Sequence, residues 1–200
     1  MAAFSLYLAH IITSIEGGII TTNRSDFAEV LRSLRCHGRA CKCDICVLNT
    51  DSGYCKKIFK YGRDIRFVFE RIGYSSKMNE IEAAVGIGNL KDYKMLIEKR
   101  RHNLLSMIDR FKKFDKYIAT IHENKDERIG PHAFPIIVQK GAPFSRDELS
   151  DYLEKNGIET RPLFGCIPTQ QPAYSFLKEE YTNKLPNADF IGKNGFYIGC

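Results

Sequence analysis

The chain has 200 residues, 44% of them hydrophobic and 27% charged, a composition that excludes disorder and fibrous repeats. Its formal net charge is +6. The basic residues are dispersed, so charge alone leaves an anionic small substrate and a nucleic acid equally open. No apolar run is long enough to span a bilayer, and seven cysteines without an export signal point to free thiols or metal ligands in a reducing cytoplasm.

Met1 to Ile12 is apolar but has no basic leading region, so it reads as a strand rather than a signal peptide. Phe4 to Ala9 is the strand proper, Glu16-Gly17-Gly18 a turn, and Ile19-Ile20-Thr21-Thr22 a second strand of β-branched residues. Asn23 or Ser25 is placed to cap a helix through Phe27, Val30, Leu31 and Leu34 that stops near Gly38. Residues 36–63 lose periodicity and hold five of the seven cysteines, a loop or small knuckle.

Ile81, Ala84, Val85, Gly88, Leu96, Ile97, Leu104, Ile108 and Phe111 then recur at helical spacing. The helix from about Asn79 to Phe114 is long enough to predict a bend or break near Gly86 or Gly88. Strands follow near 117–121 and 133–138, then a helix from Ser145 to Asn156 with Gly157 as its stop. A strand over 158–161, a helix over 186–194 and a strand over 196–199 complete the series, the content of an α+β layer. Both ends fall in strand-like runs, the pattern expected of a piece of a longer protein.

Two ordered motifs carry a family resemblance. Ser5-Leu6-Tyr7-Leu8-Ala9-His10 followed by Glu16-Gly17-Gly18 resembles the cofactor-lysine motif of the DegT–StrS type of nucleotide-sugar aminotransferases, Ser-Phe-x-x-x-Lys with an acidic-Gly-Gly turn. Gly73-Tyr74-Ser75-Ser76-Lys77-Met78, running on to Ala83-Ala84, resembles that family's second signature. Arg161-Pro162-Leu163-Phe164 and Gln171-Pro172-Ala173-Tyr174 are similar to its C-terminal pattern.

The resemblance implies an α/β, three-layer, pyridoxal-phosphate-dependent transferase-like fold. Residues 1–78 would be the end of the cofactor-binding large domain, and 79–200 the linking helix and a C-terminal α+β small domain. It also implies a cytoplasmic location, a nucleotide-linked sugar as substrate and a homodimer in the full-length parent.

The departure from the family is His10 at the lysine position. Imidazole cannot form the internal Schiff base that a lysine amine forms, but it moves protons near neutral pH. The family's 4-keto-6-deoxyhexose 3-dehydratase branch makes the same exchange, using pyridoxamine phosphate and a histidine base; its Phe-Tyr-Pro-Ala-His is similar to Leu6 through His10. The resemblance therefore implies C3 dehydration, with pyridoxal or pyridoxamine phosphate as cofactor. It makes Ser5 the phosphate-binding serine, Tyr7 a neighbour of the cofactor, Ser75 the counterpart of an asparagine that reaches the partner subunit's cofactor, and Arg161 a substrate-binding residue or an ordinary surface arginine.

Cys41, Cys43, Cys46 and Cys55 lie within fifteen residues. Read alone they suit Zn²⁺, a cluster or plain thiols. Cys41-Lys42-Cys43 also resembles the Cys-x-Cys of iron–sulfur members. Glu80 and Glu82, and the run Lys99-Arg100-Arg101, read as solvated helix charges, which gives no nucleic-acid site and no membrane contact. The competing functions are a sugar aminotransferase relative and a non-enzymatic cysteine-rich metal-binding module.

Overall fold

The computed structural model describes residues 1–46, 55, 62–163 and 171–200. Phe164, Cys166 and much of the cysteine-rich stretch lie outside the described residues. The chain divides into two compact units, Met1–Asp92 and Tyr93–Cys200.

In the first unit β1 (Ala2–Ser5) pairs antiparallel with β2 (Gly18–Thr21), with Phe4 opposite Ile19 and Ser5 opposite Gly18. Every residue of both strands is exposed. The first strand is shorter than the apolar run predicts: after Leu6 the chain turns, and the His10 N–H donates to the Tyr7 carbonyl at 3.0 Å. An apolar run does not by itself distinguish a strand from a turn held elsewhere by its neighbours.

Helix α1 (Ser25–Leu34) has neither expected cap; Arg24 occupies the N-cap without a side-chain bond to the backbone, its guanidinium being paired with Asp26. Beyond α1, residues 36–40 run beside residues 68–76. Cys36 bridges Ser75 and Arg39 bridges Phe69, while Ala40 N–H donates to the Val68 carbonyl at 2.8 Å. Backbone hydrogen bonds thus join the segments that flank the cysteine-rich stretch.

Helix α2 (Glu80–Phe111) continues unbroken through Gly86 and Gly88, against the expected break. Asn79 and Glu82 cap it reciprocally: Glu82 N–H donates to Asn79 Oδ1 at 2.9 Å and Asn79 N–H to Glu82 Oε2 at 3.2 Å. Glu82 is therefore half of a capping box rather than a purely solvated charge.

The second unit is an antiparallel sheet in the order β3 (Ile118–Ala119), β4 (Phe134–Val138), β6 (Gly195–Ile198), β5 (Thr160–Pro162). Alternate residues of β4, Phe134, Ile136 and Val138, are buried, the period of two that a sheet with one core face requires. They pack with Phe196, Ile198 and Leu104, and Met107, Ile108, Phe111, Leu149 and Leu153 close around them. Full burial of a side chain such as Phe134 contributes about 1.5–3 kcal/mol.

Helix α3 (Arg146–Lys155) starts with a full capping box between Ser145 and Glu148. The chain then passes through α4 (Lys178–Tyr181) and α5 (Pro186–Asn194). Arg100 and Arg101 are not the wet face expected of them. Arg100 donates to the Pro131 and His132 carbonyls at 3.1 and 2.9 Å. Arg101 pairs with Glu123. That guanidinium, with the Ile129 N–H, holds the Glu123 carboxyl down at about 2. Guanidinium forks let these residues tie a loop to a helix, which charge spacing alone does not reveal.

Candidate functional site

Both family-like motifs fall in the first unit, and the packing of Met78 against the Gly17 turn brings them to one place. The loop carrying His10 is pinned at its feet. Leu6 N–H donates to the Gly17 carbonyl and Ser14 N–H to the Leu6 carbonyl, both at 2.9 Å, and Thr13 Oγ1 donates to the same Leu6 carbonyl at 3.1 Å. His10 is half-buried. Its ring meets the exposed Tyr7 ring edge-on, with centroids 6.1 Å apart and planes at 77°. Ser5, exposed at the end of β1, accepts the Tyr7 N–H at 3.3 Å, so its own O–H remains available to donate.

Gly17 of the acidic-Gly-Gly turn has φ +139°, and a Cβ there would lie 2.3 Å from Met78 Cε and 2.9 Å from Ser14 Oγ. The methionine of the second motif is therefore seated on the turn of the first. Ser14 is completely buried, donates to the Glu16 carbonyl at 2.7 Å and lies against Gly86 of α2. Between Ser14 and Glu16, Ile15 adopts φ +77°. For a β-branched residue that conformation costs about 1–3 kcal/mol and persists only where the surroundings impose it. Sequence reasoning assigned no role to Ser14, Ile15 or Met78. The available signal was the methionine of the second motif.

Ser75 is exposed and held beside Cys36 by the isolated bridge, flanked by Tyr74 N–H to Leu34 O at 2.7 Å and Ser76 N–H to Arg35 O at 3.0 Å. Gly38 and Gly73 make this crossing possible. A Cβ on Gly38 would lie 1.8 Å from the Arg71 carbonyl oxygen, and one on Gly73 2.0 Å from the Gly38 nitrogen. Arg161 belongs to the second unit. It is exposed on β5, paired with Glu159, and donates to the Thr160 carbonyl.

The metal expectation on Cys41, Cys43, Cys46 and Cys55 finds no support among the described residues. None of the four is disulfide-bonded, and no group of three or more potential ligands is assembled among the described residues. Burial pushes the Cys41 thiol up; a backbone hydrogen bond from Cys43 opposes this, and the neighbouring Cys43 and Cys46 thiols push it further up. Among the described helices none is long and apolar enough to cross a membrane.

Residues 1–200 match the model of the DegT/DnrJ/EryC1/StrS aminotransferase family. The chain belongs to this family. Similar relatives include the dTDP-4-dehydro-2,6-dideoxy-D-glucose 3-dehydratase of Saccharopolyspora spinosa, 30% identical over 100% of this chain and 44% of the relative. The GDP-4-keto-6-deoxy-D-mannose 3-dehydratase of Escherichia coli O55:H7 is 28% identical over 100% of this chain and 50% of the relative.

A solved structure of the E. coli GDP-4-keto-6-deoxy-D-mannose-3-dehydratase with bound hydrated PLP superimposes with a TM-score of 0.72 at 27% identity, covering 99% of this chain and 49% of that one. Family members with transaminase names are also similar, among them the UDP-4-amino-4,6-dideoxy-N-acetyl-beta-L-altrosamine transaminase of Helicobacter pylori, 27% identical over 92% of this chain and 42% of the relative. The fold is the α/β fold of PLP-dependent transferases, and the chain spans about half the length of the curated relatives it matches.

Proposed function

We propose that this chain carries the proton-transfer histidine and part of the cofactor cradle of a nucleotide-sugar 3-dehydratase, acting on a nucleotide-linked 4-keto-6-deoxyhexose. The observation that carries the reading is His10, in the family's lysine position, half-buried in a loop pinned at both feet. Relatives in this family include both 3-dehydratases and transaminases. The histidine favours the first, because transamination needs an amine that links reversibly to the cofactor.

The residues present fit pyridoxal or pyridoxamine phosphate in chemistry. The Ser5 hydroxyl has a proton to give a phosphate oxygen,, and the Tyr7 ring is exposed beside the His10 imidazole. When bound, the cofactor supplies an electron sink that lets a carbon proton and a neighbouring hydroxyl leave. His10 would move that proton at a ring nitrogen. Tyr7 would limit the tilt of the imidazole. Ser75, shorter than asparagine, is proposed to face a cofactor in the partner subunit of a homodimer, and Arg161 to contact the substrate. The proposed domain division is 1–78 and 79–200, and the proposed location cytoplasmic.

The test is to incubate the full-length protein with pyridoxamine phosphate and a nucleotide-linked 4-keto-6-deoxy sugar and weigh the products. A sugar lighter by one oxygen, deoxygenated at C3 with its C4 oxygen retained after hydrolysis, is expected, the two electrons coming from pyridoxamine phosphate, which is left as pyridoxal phosphate with release of ammonia. A stable amino sugar would assign the chain to the transaminases, and an unchanged sugar would remove the enzymatic reading.

A further inference from the structure

We propose that Arg39 and Arg71 form a binding site for a phosphate-class oxyanion where the segments 36–40 and 68–76 cross. Among the described residues, Arg39 Nε and Arg71 Nη1 are the buried side-chain polar atoms without a hydrogen-bond partner. Buried donors left unmade cost more than a hydrogen bond contributes, most of all when they carry charge, so two such donors at one crossing call for an acceptor.

The backbones of the two arginines meet at Gly38, whose carbonyl accepts the Glu70 N–H at 2.9 Å and the Arg71 N–H at 3.4 Å, while Arg39 itself is bridged to Phe69. The crossing is close-packed, with no room for a Cβ at Gly38 or Gly73. The guanidinium carbon of Arg39 lies 5.8 Å from the centroid of the Phe67 ring, within cation–π range.

Local charge decides the sign of the ligand. Lys42 pairs with Glu70 at 3.0 Å and approaches Glu29 at 3.9 Å, and Arg71 Nη2 stands 3.6 Å from Glu70. Among the described residues, Arg39, Lys42 and Arg71 thus set three cations against the carboxylates of Glu29 and Glu70, and the surplus is positive. The backbone N–H groups of His37, Gly38 and Arg39 are already committed, to the Tyr74, Ser33 and Cys36 carbonyls. Recognition would therefore fall to the guanidinium forks, whose planar geometry suits phosphate oxygens. The inference does not depend on the proposed dehydration, because it uses neither His10 nor the cofactor residues.

Calorimetric titration of the full-length protein in a phosphate-free buffer tests it, with inorganic phosphate in one arm and a nucleoside diphosphate in the other. Binding in at least one arm is expected. It should be weakened on the order of tenfold or more by Arg39→Met or Arg71→Met and unchanged in His10→Asn. Tighter binding of the diphosphate, lost in the arginine variants, would make the site the grip on the substrate's diphosphate; binding of inorganic phosphate alone would make it a separate anion site. Should the variants fail to fold, the wild-type melting temperature gives a second reading: it should rise with phosphate and not with chloride at equal ionic strength. No binding in either arm, or binding that both arginine variants retain, would overturn the proposal.

Discussion

At the scale of single residues, His10 and the Glu16-Gly17-Gly18 turn were legible because their chemistry is written in residue type: an imidazole where an amine is expected, and a glycine, Gly17, where φ is positive. Ser14, Ile15 and the buried edges of Arg39 and Arg71 were not, because burial and left-handed φ are imposed by residues distant in sequence. Glycine roles also separate by what a Cβ would strike. At Gly17 the obstacle is mainly the flexible end of Met78, whereas at Gly38 it is the Arg71 carbonyl, with φ at +78°. Gly38→Ala should therefore destabilise the protein more than Gly17→Ala, by several kcal/mol against about 1–3. Urea unfolding of the two variants checks the order, and equal losses would mean that the crossing can shift to admit a methyl group.

At the scale of elements, helices were read more faithfully than strands. The capping box at Ser145, the stop at Gly157 and the Pro186 start all sit at or next to the ends of the helices they delimit, so local sequence suffices,. The first strand was overextended because Tyr7 and Leu8, though apolar, are exposed in a turn. The long helix was expected to break at glycines, yet Gly86 packs against Ser14 and the helical hydrogen bonds run on. The Ser145 cap accepts the Glu148 N–H at 3.2 Å, and Glu148 Oε2 accepts the Ser145 N–H at 2.7 Å. Ser145→Ala should cost about 1 kcal/mol, seen as a lower denaturation midpoint with unchanged slope. No change would show that the α3 N-terminus is satisfied without its side-chain cap.

At the scale of the whole molecule, motif order carried the family. Two short motifs in the right sequence, each weak alone, pointed to the fold that the full-length match then showed. Cysteine content carried less. Four thiols within a short stretch resemble a metal site, but ligation requires three or more ligands to converge in space, and no such group stands among the described residues.

The central claim is that His10 moves a proton and does not anchor the cofactor. Its most direct test is His10→Asn in the full-length protein, assayed for both dehydration and cofactor binding. The account predicts that dehydration falls by about 10²–10⁴-fold, the usual contribution of a positioned acid–base group, while pyridoxamine phosphate, followed by its absorbance, stays bound. Dehydration at the wild-type rate in that variant would contradict it.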